Sequence, residues 1–101
     1  MKEYQFLREA EEEMNEAAQF YEVRREGLGA DFLDEVQHTV DSILAFPKSG
    51  PVISENLRRR ILRRFPFGLL YAIEVERIVI VAVAHLKQRP GYWKDRIEKD
   101  V

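Results

Sequence analysis

The spacing of apolar residues changes period twice along the chain. Tyr4-Gln5-Phe6-Leu7 alternates weakly, predicting a short strand at a sheet edge. From Arg8 to Arg25, Ala10, Met14, Ala17, Ala18 and Tyr21 recur at spacings of three and four, one stripe of an amphipathic helix. Glu9, Glu11, Glu12, Glu13 and Glu16 crowd its early turns, where the positive end of the helix dipole tolerates them, and they read as a solvated face. Gly27 is expected to end this helix, because glycine adopts the left-handed cap conformation without a side-chain clash. A second helix is predicted over Ala30–Ala45, with Phe32, Leu33, Val36, Val40, Ile43 and Leu44 on its stripe. It ends before Pro47, since a proline pushes the preceding residue out of helical geometry. The connection Gly27-Leu28-Gly29 folds the two helices into a hairpin, and Lys48-Ser49-Gly50-Pro51 reads as a loop.

Beyond the loop the period becomes two. Arg59, Ile61, Arg63 and Phe65 alternate with Arg58, Arg60, Leu62 and Arg64, predicting a strand over 58–65. Pro66-Phe67-Gly68 supplies a turn, Leu69–Val75 a second strand, Glu76-Arg77 a tight turn and Ile78–Ala84 a third. The third strand is almost wholly apolar, as expected of a central strand covered on both faces. Short connections imply an antiparallel meander. A short helical piece follows over Tyr92–Lys99. Two helical stripes need a cover and the sheet has an apolar face. The expected fold is therefore α+β, a short N-terminal strand and a helical hairpin packed on a small antiparallel sheet, one domain over residues 1–101.

Charge sharpens this picture. The net charge is only −2, but residues 1–50 carry 5 basic and 12 acidic side chains, a balance of −7, and residues 51–101 carry 11 and 6, a balance of +5. Such asymmetry suits either a localised anionic target or two solvated faces that attract each other. Apolar residues make up 46% of the sequence, which places it among globular rather than disordered chains. Cysteine is absent, which excludes disulfides, thiolate metal ligands and thiol chemistry. No segment approaches the roughly 18 apolar residues of a membrane span, and the start has no apolar signal core. The expected location is cytoplasmic.

Five arginines on one predicted strand are the most unusual feature. The pleat would send Arg58, Arg60 and Arg64 to one face and Arg59 and Arg63 to the other. Their planar forks suit phosphate or carboxylate, so the strand reads as a surface for a nucleic-acid backbone or an acidic partner. Alternatively, they pair with glutamates of the first helix. His85, at the end of the third strand, either serves as a general acid or base or caps a loop. Arg89, Tyr92 and Trp93 follow closely, able to steady a phosphate and stack on a base, or to clamp the tail to the sheet. No glycine elbow surrounds Ser42, Ser49 or Ser54, and there is no glycine-rich phosphate loop or His-Glu-x-x-His helix. No metal ion or organic cofactor is implied.

Taken in order, Arg60-Ile61-Leu62-Arg63-Arg64-Phe65-Pro66-Phe67-Gly68-Leu69-Leu70-Tyr71, then Ile78–His85, then Arg89-Pro90-Gly91-Tyr92-Trp93-Lys94-Asp95-Arg96 resemble the second half of RelE/ParE toxins. The first half is similar too: Glu9-Ala10 opens a helix, and Phe46-Pro47 closes another before a Gly-Pro loop. Each piece is weak alone, and their order and spacing are specific. The resemblance implies the toxin of a type II toxin–antitoxin pair, held by an antitoxin segment that wraps the hairpin and sheet, or alternatively a non-toxic binding module of the same fold. ParE-like members inhibit DNA gyrase. RelE-like members cut messenger RNA on the ribosome with several Lys/Arg side chains and often a tail Tyr or His. A net charge of −2 and a pI of about 5.7 suit an RNase working within ribosomal RNA poorly, which favours the ParE-like side. On the RelE-like side the catalytic set would be Arg60, Arg64, His85, Arg89 and Tyr92. Partner contact is expected at Arg58, Arg60, Arg64, Tyr71 and Trp93, in a homodimer or in a heterotetramer with the antitoxin.

Overall fold

A computed structural model describes residues 3–98. Its elements are β1 (Glu3–Phe6), α1 (Arg8–Arg24), α2 (Leu28–Ala45), a 3-10 turn at Pro47–Ser49, β2 (Val52–Ser54), β3 (Leu57–Ile61), β4 (Phe67–Ile73), β5 (Arg77–His85) and α3 (Lys94–Glu98). The expected α+β layering is present: the helical hairpin covers one face of a five-stranded sheet of order β1-β5-β4-β3-β2. None of the described helices is long and apolar enough to cross a membrane.

The sheet is mixed rather than purely antiparallel. β2 to β5 form the antiparallel meander, whereas β1 pairs in parallel with β5, Tyr4 opposite Ile78 and Phe6 opposite Ile80. Antiparallel pairing is imposed only where a tight turn joins neighbours. Here a helical hairpin and three strands separate β1 from β5, so its direction is free. β2, a short edge strand, lies in the segment following the predicted loop.

Alternation sorts β4 as expected. Leu69, Tyr71 and Ile73 face the helices; Leu70 and Ala72 face away. In β5 a register shift breaks the alternation, because Leu70 pairs with Ala82 but Tyr71 with Ile80. Val81 and Ala82 therefore both join the cluster on the far face, and Val83 returns to the helix side. The helix-side core gathers Ala10, Ala17 and Ala18 of α1 with Phe32, Val36, Val40 and Ile43 of α2. The far-side cluster contains Leu57, Leu70 and Trp93.

Several element ends differ from expectation: β4 begins at Phe67, inside the predicted turn, and ends at Ile73 instead of Val75, α3 begins at Lys94 instead of Tyr92, and two further shifts have identifiable reasons. α2 starts at Leu28, not Ala30. Gly27, at φ 87°, makes the turn, whereas Gly29 is inside the helix, where an added Cβ would sit 2.5 Å from the Ala18 carbonyl oxygen of α1. Gly29 thus serves close helix approach, not the connection. The Glu22 carboxylate caps the new helix by accepting the Gly27 and Gly29 N–H groups. The basic strand, in turn, ends at Ile61 rather than Phe65. The chain bends at 62–66 so that both Leu62 and Phe65 reach the helix-side core, and Arg63 and Arg64 leave the sheet.

Candidate functional site

The arginine segment divides into three environments. On the helix side of β3, Arg58 donates through Nη1 to the carbonyl oxygens of Lys48 (3.1 Å) and Gly50 (2.9 Å). Arg60 donates to Ser49 Oγ (2.7 Å) and to Ser42 Oγ of α2 (3.1 Å). Both arginines tie the 47–51 turn to the sheet. Tyr71 completes that tie: its hydroxyl donates to the Pro47 carbonyl (2.6 Å) and accepts the Gly50 N–H (3.1 Å). Tyr71 is 0% exposed, so its expected partner contact is not available in this fold; the phenol is spent on the chain's own turn.

The second environment centres on Glu35. Its carboxylate accepts the backbone N–H groups of Arg63 and Arg64 and the Arg64 Nε at 3.1 Å. Burial pushes this carboxyl upward, but the Arg64 N–H, the Arg64 guanidinium and the Arg63 N–H outweigh it and hold the group below its ordinary 4.5. Glu35 thereby fixes the bend that ends β3. The glutamates the arginines were expected to meet lie on α1; the one they find is on α2. Because the folded pKa is lowered, the stabilisation is present above pH 4.5 and lost as pH falls through the lower folded value. A Glu35→Gln variant is expected to be less stable than wild type by about 1–2 kcal/mol at pH 7. The gap should close as pH falls below 4.5 through that lower folded value, as thermal melts across the acid range would reveal.

The third environment is the opposite face. There Arg59 enters a cleft of about 230 Å³ together with His85, Arg89, Tyr92 and Trp93, over Ile53, Leu70 and Ala84. The Arg59 stem crosses Gly68, where a Cβ would come within 3.2 Å of Arg59 Cγ. His85 accepts the Lys87 N–H on Nδ1 and lies edge-on to Phe67, which leaves Nε2 as the imidazole's remaining hydrogen-bonding atom. Among the described residues neither the Arg59 nor the Arg89 guanidinium has a hydrogen-bond or ion-pair partner.

The cleft is walled by the tail, which α1 latches. The Tyr92 hydroxyl donates to Glu13 Oε2 (2.7 Å), and Arg96 grips the same carboxylate with Nη1 (2.7 Å) and Nη2 (2.9 Å). The remaining contacts explain why the latch sits here. β1 pairs with β5 only as far as Ile80, leaving the edge beyond it open. Glu13 accepts the Val83 N–H and Arg96 donates to the Val81 carbonyl, so two side chains take the place of a missing strand. Burial first, then the Glu13 contact, push the Tyr92 phenol far above its ordinary 10.0. Trp93 is 8% exposed and packs into the far-side cluster, so clamping the tail is the role its geometry shows.

Of the five residues of the RelE-like set, the fold brings His85, Arg89 and Tyr92 to one cleft and leaves Arg60 and Arg64 on the helix side. Sequence pattern gave no site role to Glu13, Glu35 or Arg96 and placed Arg59 only among the strand's five arginines, yet Arg59, Glu13 and Glu35 each had a signal. Arg59 alternates out of phase with Arg58 and Arg60. Glu13 lies three residues after Ala10 and four before Ala17, on the apolar stripe. Glu35 stands likewise three after Phe32. A carboxylate on a buried stripe needs a partner.

The sequence profile of the ParE toxin of type II toxin-antitoxin system, parDE, matches residues 4–90. This chain belongs to the ParE toxin family. The matched range runs from β1 through β5 to Arg89 and Pro90, so it includes most of the cleft and ends before the latch partners Tyr92 and Arg96. The structure titled "Chromosomal ParDE TA system from P. aeruginosa" is similar to this ParE-family chain with a TM-score of 0.61 and 19% sequence identity, covering 84% of this chain and 96% of that one. At that identity the likeness speaks to the fold. No curated protein sequence matches.

Proposed function

We propose that this ParE-family chain is the toxin of a type II toxin–antitoxin module that inhibits DNA gyrase by direct binding and is neutralised by a cognate antitoxin. Family membership supports the toxin reading. The observation that carries the choice of gyrase over messenger RNA is the separation of the arginines. A metal-independent ribonuclease needs several cations and a proton donor around one phosphate. Here Arg60 and Arg64 hold internal oxygens on the helix side, across the sheet from His85 and Arg89. The Tyr92 hydroxyl is committed to Glu13, and its raised pKa makes it a reluctant acid. A chain of net charge −2 also gains little from a phosphate-rich target.

A supercoiling assay tests the proposal. Purified protein at micromolar excess over gyrase is expected to reduce conversion of relaxed to supercoiled plasmid by at least about tenfold, and added antitoxin to restore it. Undiminished supercoiling, with new cuts in translated message by primer extension, would reverse the choice in favour of a nuclease.

A further inference from the structure

We infer that the cleft on the sheet face away from the helices is a docking site for an acidic, partly apolar peptide segment of a protein partner, held by Arg59 and Arg89. Three features lead there. The first is the pair of guanidinium groups. In a chain where Arg58, Arg60, Arg64, Arg77 and Arg96 all engage internal oxygens, Arg59 and Arg89 line one cleft with no partner of their own among the described residues. Two uncompensated cations beside one concavity favour an anion. The second is the floor, where Ile53, Leu70 and Ala84 give an apolar surface for the body of a side chain beside its carboxylate. The third separates peptide from nucleic acid. Single-stranded nucleic acid is held by stacking bases on open aromatic faces. Trp93 is buried in the far-side cluster and the Tyr92 hydroxyl is tied to Glu13, so the tail's two rings are occupied with packing. Arg59 is on a paired strand opposite Leu70, and the tail bearing Tyr92 and Trp93 is pinned by the Glu13–Arg96 pair.

Trp93 is the sole tryptophan of the sequence and lines the cleft, so it reports occupancy directly. The full chain would be titrated at low salt with a blocked octapeptide alternating glutamate and leucine, with the same peptide carrying glutamine for glutamate, and with oligouridylate. The acidic peptide is expected to give a saturable change in Trp93 emission. Affinity should fall at least about tenfold for the glutamine peptide, and by a similar factor for Arg59→Gln or Arg89→Gln in variants whose melting temperature is unchanged. Arg89 is exposed in a loop, so its variant remains informative if Arg59→Gln perturbs folding. The inference is overturned by an absent or unsaturable response, by equal binding of the glutamine peptide, or by tighter binding of oligouridylate. None of these results depends on gyrase, so the supercoiling assay and this titration fail independently.

Discussion

Phe32→Ala is expected to destabilise the fold by about 4 kcal/mol, the largest effect of any single truncation considered. Phe32 is 0% exposed and lies where both helices and the bend after β3 meet. Its ring centroid is 5.5 Å from Tyr21 on α1 and 5.2 Å from both Phe65 and Phe67, the latter two in edge-on geometry. Removing the ring leaves a cavity bordered by three elements that other contacts hold in place, so collapse can fill little of it. A domain of this size is stable by about 5–15 kcal/mol in total, so such a loss would remove between about a quarter and about four-fifths of it. Urea unfolding followed at Trp93 measures it. A loss below about 1 kcal/mol would mean that the aromatic cluster does not join the layers.

Glu13→Ala is expected to cost about 3 kcal/mol and to release the tail. One carboxylate serves the Val83 N–H, the Tyr92 hydroxyl and both terminal nitrogens of Arg96, whose side chain is only 14% exposed. Without it the guanidinium and the strand N–H lose their acceptor in a half-buried position. Trp93 emission should shift to the red as the ring meets water. The phenol gives a second readout. Tyr92 is raised above 10.0 by burial and by Glu13, so its contribution is complete below pH 10 and lost as pH rises beyond it. In the Glu13→Ala variant Tyr92 should titrate nearer the ordinary value and alkaline destabilisation should be shallower. Unchanged Trp93 emission in that variant would contradict the latch.

These two sites show what the sequence makes legible. The Phe32 cluster follows from periodicity: Tyr21 and Phe32 are on their stripes, and Phe65 and Phe67 flank the proline turn. The layer structure and β4's two faces follow from the same rule. What escaped needed knowledge of partners. Nothing local says that Gly29 approaches Ala18 rather than turning the chain. Nothing in an alternating Arg58–Phe65 run says that Glu35, 28 residues earlier than Arg63, will draw the chain out of the sheet. Direction at β1 was open because no tight turn constrained it. Glu13 and Glu35 were visible as carboxylates on apolar stripes, but the glutamate-rich first helix made Glu13 read as one more solvated charge. The arginines were legible as a group and not as individuals, since pleat alternation assigns faces only while the strand lasts.

The proposal that this ParE-family chain poisons gyrase is tested most directly in cells expressing it without its antitoxin, by the linking-number distribution of a reporter plasmid on a chloroquine gel. Gyrase inhibition predicts that negative supercoiling is lost before protein synthesis falls, with translated messages intact. Arrested growth with unchanged plasmid topology would contradict it.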